Sequence, residues 1–225
     1  MKETNFKQID SGLKAFQANL PFLALKCPVN DLLSHLNTSR LFTTRWRLLK
    51  STMSPMEKAQ YEAQKVRPLF ARLTSELKEN DLPEGIIIIK EYELKGEVKP
   101  PLLPFIGHEL PGGKVWLFLV TLGQKFSAYY RALEESGRLS DYFYLYGLGA
   151  EATETLAKMA QDMVQKKYPA LKLRRYSFGY PFCPDLKGNE LLVSLLDGGR
   201  YGISTSEEYM LIPEFSCAGV VAVAL

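Results

Sequence analysis

The spacing of apolar positions divides the chain into a helical part, a strand-rich part and a mixed remainder. A modest helical pattern runs from Ile9 to Leu20, and Pro21 and Pro28 then punctuate the chain around Cys27. Asn30 or Asp31 suits a helix N-cap ahead of Leu32, Leu33 and Leu36. Ser54-Pro55-Met56-Glu57 has the residue types of a capping box with proline in the first turn. The helix it opens carries Met56, Ala59, Ala63, Val66, Leu69, Phe70, Leu73 and Leu77 at helical spacing, and Pro68 predicts a kink or split. Polar residues 78–81 and then Pro83-Glu84-Gly85 mark a boundary. Residues 1–80 therefore read as a helical N-terminal region packed on a main domain, residues 81–225.

Beyond the boundary the period changes. Ile86 to Ile89 is a continuous β-branched run, and Tyr92, Leu94 and Val98 alternate with Glu91, Glu93, Lys95 and Glu97 as in a half-exposed strand. A proline-rich piece (100–104) and a loop (108–113) precede a second strand, 115–122, and a helix, 124–136, stopped at Gly137. After the Tyr- and Leu-rich segment 140–149, residues 151–167 form an amphipathic helix with Leu156, Met159, Ala160, Met163 and Val164 on one side. Glu151, Glu154 and Lys158 fall on another side, where carboxylates are ordinarily solvated or paired with lysine. A helix at 186–196, a short strand at 201–204, a turn at 206–210 and a final strand at 215–225 follow. The order predicts an α+β fold: a twisted antiparallel sheet from 86–98, 115–122, 201–204 and 215–223, flanked by helices, with one wetter face.

Composition adds mostly exclusions. With 46% hydrophobic and 24% charged residues, 225 residues suffice for a substantial core. A net charge of +3 gives no general reason to expect nucleic-acid binding. Cys27, Cys183 and Cys217 are too few and scattered for a disulfide framework. They fit a reduced cytoplasmic setting, and no apolar window reaches the roughly 18 residues of a membrane span. His108 beside Glu109 has no second ligand near it, so no metal site is expected. No nucleotide-binding glycine loop or serine nucleophile elbow is present. The stretch 39–50 mixes Arg40, Arg45, Arg47 and Lys50 with Leu41, Phe42, Trp46, Leu48 and Leu49. It reads either as an anion-binding or docking face or, the reading burial preferences favour, as a helix with solvated arginines and Trp46 inward.

The densest chemistry lies in 174–185, R-R-Y-S-F-G-Y-P-F-C-P-D. Arg175 can grip a carboxylate in a forked pair, Gly179 admits positive φ or a ligand against its backbone, and Tyr180 offers an aromatic face. A ligand carrying a carboxylate and a flat ring would suit this set. Cys183, between Pro181 and Pro184, reads as a small buried thiol, with a thiol or redox function as the lesser alternative.

Arg175 to Asp185 resembles the R-x-x-x-G-Y-P-x-C-P-[DE] signature of the activation domain of cobalamin-dependent methionine synthase. Downstream, Leu195-Leu196-Asp197, Ile203, Ser206-Glu207, Tyr209, Pro213, Ser216 and Gly219 fall where that family has its later elements, and Thr153 to Ala157 resembles its preceding helix. Coverage is about 84–220, and the resemblance implies the family's α+β fold and S-adenosylmethionine binding. Carried over, the ligand residues are Glu154, Arg175, Ser177 (through its backbone), Gly179 and Tyr180, with no catalytic residue and no metal. The implied role is an accessory protein supporting reductive reactivation, by remethylation, of a cobalamin or corrinoid methyltransferase such as methionine synthase. Such a chain is a component or reactivation factor rather than a complete enzyme. No Asp-x-His-x-x-Gly corrinoid element occurs, which assigns cobalamin to a partner: a corrinoid protein or methionine synthase core, with an electron donor protein and neither nucleic acid nor membrane. The alternative is a non-catalytic interaction subunit of a corrinoid protein complex that keeps the fold without binding S-adenosylmethionine.

Overall fold

The structure is a computed structural model, and it describes residues 7–8 and 21–224; the helical pattern from Ile9 to Leu20 lies outside them. A six-stranded sheet has the order β1-β2-β3-β4-β8-β5, with β1 Lys7–Gln8, β2 Phe22–Cys27, β3 Gly85–Glu93, β4 Lys114–Thr121, β5 Leu173–Tyr176 and β8 Ser216–Val223. All its pairings are antiparallel except β1 with β2. A separate hairpin joins β6 Ser204–Thr205 to β7 Leu211–Ile212. The α+β architecture, an antiparallel sheet flanked by helices, is therefore the one expected.

Neither face of the central strand β4 is wet, but towards the sheet edges the face carrying Phe22, Lys26, Lys90 and Arg174 is the wetter one, as expected. Successive side chains in a strand point to opposite faces, so a strand covered on both sides reads as an unbroken apolar run. In β4, Trp116, Phe118 and Val120 join one core cluster and Val115, Leu117 and Leu119 another, all fully buried. The helices are α1 Val29–Ser34, α2 Thr38–Arg40, α3 Pro55–Tyr61, α4 Arg67–Glu79, α5 Gly123–Glu135, α6 Leu139–Lys167 and α7 Lys187–Leu195. Leu148, Leu156, Ala160 and Val164 of α6 belong to the first cluster; Leu192 of α7, Leu196 and Phe105 belong to the second.

Several local expectations change. Residues 22–27, read within a helical region, form β2 and pair with β3 from Phe22↔Lys90 to Cys27↔Gly85. Their apolar run is too short to show a helical period, and the waiting edge of β3 decides its conformation. The alternating pattern at 94–98 is not strand: β3 ends at Glu93, and the chain turns at Gly96, φ +71°. Of residues 201–204, Tyr201 ends a 3-10 turn, Gly198–Tyr201, and only Ser204 is strand, opening β6 outside the main sheet. Its place in the sheet falls to β5, cut from the signature stretch itself. Helix α1 starts at Val29 behind Pro28, with no side-chain cap from Asn30 or Asp31. The capping box at Ser54 and Glu57 is present as expected. Pro68 neither breaks the helix nor stands alone: a π-helical stretch, Glu62–Val66, links α3 to α4 and places Pro68 in the first turn of α4.

Residues 140–149 are not a separate segment but part of the first third or so of the 29-residue α6. Gly147 permits a close approach there. A Cβ on it would lie 2.7 Å from Trp46 Cδ1, whose ring nitrogen donates to the Tyr144 carbonyl at 2.8 Å. Residues 38–45, α2 and the π-helix Leu41–Arg45, are thereby packed against α6 through buried Leu41, Phe42 and Trp46.

Candidate functional site

Strand β5 sits at the sheet edge with Arg175 opposite Val221 of β8. Helix α6 crosses the adjoining face, and the loop after β5 folds over the edge. Together they enclose an open cleft of about 550 Å³, lined by Glu154 of α6, by residues 174–177 and 180–182, and by Cys217 of β8. Glu154, Arg175, Ser177 and Tyr180 are thus brought together from distant parts of the sequence.

The Arg175 guanidinium forms an ion pair with Glu154 through its Nη2, with the two side chains 16% and 29% exposed. Its other terminal nitrogen, Nη1, is buried and finds no hydrogen-bond partner among the described residues. A buried donor left open costs free energy until something accepts from it. The guanidinium also lies 5.9 Å from the centre of the Phe118 ring, within cation–π range. Ser177 Oγ is 3.6 Å from Cys217 Sγ on the cleft wall, and burial raises the Cys217 thiol above its ordinary value. Tyr180 projects its ring outward, 66% exposed. Phe182 packs on Tyr176 at 4.5 Å between ring centres and on Phe105 at 5.5 Å, so the opposite wall is a fixed aromatic surface.

Of the two parts open to it, Gly179 shows the positive φ. It is not among the cleft-lining residues. Its φ is +86°, a conformation that favours glycine, and a Cβ on it would stand 2.8 Å from Leu186 Cδ2. Its N–H donates to the Cys183 carbonyl at 2.8 Å, and the Cys183 N–H returns to the Tyr180 carbonyl at 2.9 Å. The glycine shapes the turn that presents Tyr180. Cys183 is buried at the centre of that turn, and burial pushes its thiol up to about 11, against the lowering that nearby arginines would give and against a thiolate role.

Glu151 is the residue whose place the helical wheel misassigns. It is fully buried, and Arg40 Nε donates to its Oε2 at 2.8 Å and to its Oε1 at 3.0 Å. Arg45 Nε adds a longer contact at 3.5 Å. The Glu151 hydrogen bond raises the Arg40 guanidinium above its ordinary value, which keeps the cation in place. Two of the arginines read as solvated therefore close on a buried carboxylate one helical turn before Glu154. A smaller cleft of about 220 Å³, lined by Arg40, Glu151 and Glu154 among others, lies on the far side of Glu154. No local pattern reveals this pairing, because its partners lie 111 residues apart. Arg174, Phe182 and Cys217 are further cleft residues that the reading of the signature left out.

Among the described residues no cluster of His, Cys, Asp and Glu is arranged to hold a metal ion, and no helix is long and apolar enough to cross a membrane.

Comparison with known proteins supplies the family context. Residues 148–224 match the model of the vitamin B12 dependent methionine synthase activation domain. The methionine synthase of Mycobacterium tuberculosis is 33% identical over 119 residues, 44% of this chain and 10% of that protein. The methionine synthase of Mycobacterium leprae is 32% identical over 119 residues, with the same shares. The chain thus spans about a tenth of the length of these relatives. A crystal structure of the MetH reactivation domain bound to AdoHcy superposes with a TM-score of 0.68 at 14% identity, covering 98% of this chain and 87% of that one. By sequence over residues 148–224, and by fold over nearly its whole length, this chain is methionine synthase activation domain-like.

Proposed function

We propose that this protein is an S-adenosylmethionine-binding accessory protein that supports reductive reactivation of a cobalamin or corrinoid methyltransferase such as methionine synthase. The observation that carries the reading is the convergence of Glu154, Arg175, Ser177 and Tyr180 on one cleft, inside the segment that matches the activation-domain model. AdoHcy, named with the structural neighbour, is what S-adenosylmethionine becomes on giving up its methyl group, so the neighbour's ligand is of the proposed class.

The cleft residues fit such a ligand. Its volume of about 550 Å³ is that of an ordinary small-molecule site. The open Nη1 of Arg175 is a donor that a ligand carboxylate would satisfy, and a forked guanidinium–carboxylate pair is a strong and directional contact. A carboxylate taking over the guanidinium frees Glu154 to receive the ligand ammonium. Tyr180 offers an aromatic face to the adenine ring, and the Phe182 wall keeps water from one side. Gly179 acts through the turn that sets Tyr180. Bound S-adenosylmethionine supplies an electrophilic methyl group; the protein's part is to hold it in one orientation before a corrinoid carried by a partner. The partners in this reading are a corrinoid protein or methionine synthase core and an electron donor protein, in the cytoplasm.

Isothermal titration with S-adenosylmethionine tests this. Saturable heat in the wild type, weakened at least tenfold in Arg175→Ala as loss of a charge-assisted pair requires, is the expected result. Absence of heat in both, with circular dichroism showing both folded, overturns it. A second reading rests on the ion pair itself: Glu154 engages Arg175 directly, as in an interaction subunit that keeps only the fold. It requires that a corrinoid methyltransferase be retained by the chain without S-adenosylmethionine and that Arg175→Ala leave that complex intact.

A further inference from the structure

The basic stretch at 39–50 is only half used by Glu151. Arg40 and Arg45 are consumed there, and buried Phe42 and Trp46 turn the other side of the segment outward. The chain that follows is tied back rather than loose. The Leu48 and Leu49 N–H groups both donate to the Phe42 carbonyl, at 3.0 and 3.3 Å, and the Met53 N–H donates to the Lys50 carbonyl at 3.2 Å. Within this frame Arg47 is held at φ +54°, a left-handed conformation that an arginine adopts only under surrounding constraint.

The result is an open cleft of about 570 Å³ whose walls bring together Arg47, Lys50 and Lys58 with Ser51, Thr52 and Thr43, the last already donating its hydroxyl to the Ser39 carbonyl at 2.8 Å. Among the described residues no acidic one lines it. Glu57, the acid next in sequence to Lys58, is turned away, accepting from the Ser54 N–H at 2.8 Å in the capping box. Cations gathered on one concave surface repel each other, and a bound anion reverses the sign of that interaction. Hydroxyls beside guanidinium and ammonium groups match the oxygens of a phosphoryl group, which carries close to two negative charges and several strong acceptors.

We propose that this cleft is a second binding site, separate from the Glu154–Arg175 cleft, for a small phosphorylated anion. The small hydroxyls of Ser51 and Thr52 set among three cations suit the several acceptor oxygens of a phosphoryl group, and favour such a ligand over the carboxylates of an acidic protein face. The site uses none of the residues assigned to S-adenosylmethionine.

The test is titration of the intact chain with inorganic pyrophosphate, followed by amide NMR shifts, in magnesium-free buffer at fixed ionic strength. Saturable shifts centred on residues 43–58 are expected, with affinity falling about tenfold or more in Arg47→Asn/Lys50→Gln and unchanged in Arg175→Ala. Asparagine is chosen because it tolerates positive φ, so the variant keeps its backbone. The proposal is overturned by shifts that never saturate, that sodium chloride reproduces, or that survive the double substitution. Binding of an acidic protein to this surface that pyrophosphate does not displace overturns it as well. Failure of the Arg175→Ala titration with S-adenosylmethionine leaves the outcome unaffected.

Discussion

Removing the Arg40 side chain is the most informative single perturbation of this structure. Glu151 is fully buried, and its nearest contacts are with Arg40, at 2.8 and 3.0 Å from Nε and 2.8 Å from Nη2. Breaking a fully buried ion pair by deleting one partner costs about 3–5 kcal/mol, because the other charge is left uncompensated. Arg40 is 39% exposed and Arg45 remains 3.5 Å away, so water and the second guanidinium recover part of that. The expected loss for Arg40→Ala is roughly 2–3 kcal/mol once solvent screening is discounted. At about 2–4 °C per kcal/mol for a chain of this size, the melting temperature falls by roughly 4–12 °C. Urea unfolding gives the free energy directly, and a double-mutant cycle isolates the pair. Arg40→Met combined with Glu151→Met should be less destabilised than the sum of its parts, since replacing both charges leaves none unpaired. A loss for Arg40→Ala below about 0.5 kcal/mol, the level of an ordinary surface substitution, would refute the reasoning. Strict additivity in the cycle would refute it too.

Three further outcomes follow from the same structure. Gly179→Ala strains a φ of +86° and crowds Leu186, so it should lower the urea midpoint by the equivalent of about 1–2 kcal/mol or more; an unchanged midpoint would show that the turn relaxes freely. The Cys183 thiol is raised by burial from its ordinary 9.0 to about 11, so the folded state holds this proton more tightly than the unfolded one. Its contribution to stability is complete below pH 9.0 and is lost as the pH rises through about 11. Alkylation by iodoacetamide at pH 9 should accordingly be slow in the native protein and fast in urea; equal rates would contradict the burial. Tyr180→Ala should leave stability within about 0.5 kcal/mol of wild type, because an exposed ring packs little. By titration calorimetry it should weaken S-adenosylmethionine binding by about 1 kcal/mol, the scale of one aromatic contact; unchanged affinity would remove the ring from the ligand site.

The sequence carried the outline of the fold wherever a pattern was local. The Ser54–Glu57 capping box, the run from Ile86, and the strand and helix on either side of Gly123 all stand where their residue types put them. What it did not carry was decided by partners far away. Residues 22–27 are a strand because β3 offers an edge, and 94–98 are not one because Gly96 turns the chain. Both faces of β4 are dry because helices cover both, which alternation at the end of a neighbouring strand cannot reveal. The cleft shows the same division. The types of Arg175, Gly179 and Tyr180 were plain in one short stretch, but the ion pair to Glu154, the turn duty of Gly179 and the presence of Cys217 depend on how β5, α6 and β8 meet. Glu151 was the hardest, since a carboxylate on a helix looks solvated until its arginines arrive from another part of the chain.

The position of β8 between β4 and β5 has a consequence for the order of events in folding. β5 touches the sheet only through β8, and β8 reaches it by pairing with β4, Thr121 opposite Ser216, across almost a hundred residues of intervening chain. Closing so long a loop before any contact rewards it is slow. The β3–β4 pair, joined by a far shorter connection, can therefore form early, while Arg175 has no fixed place opposite Glu154 until β8 has docked. On that order the cleft is completed only when the strand at its back is in place.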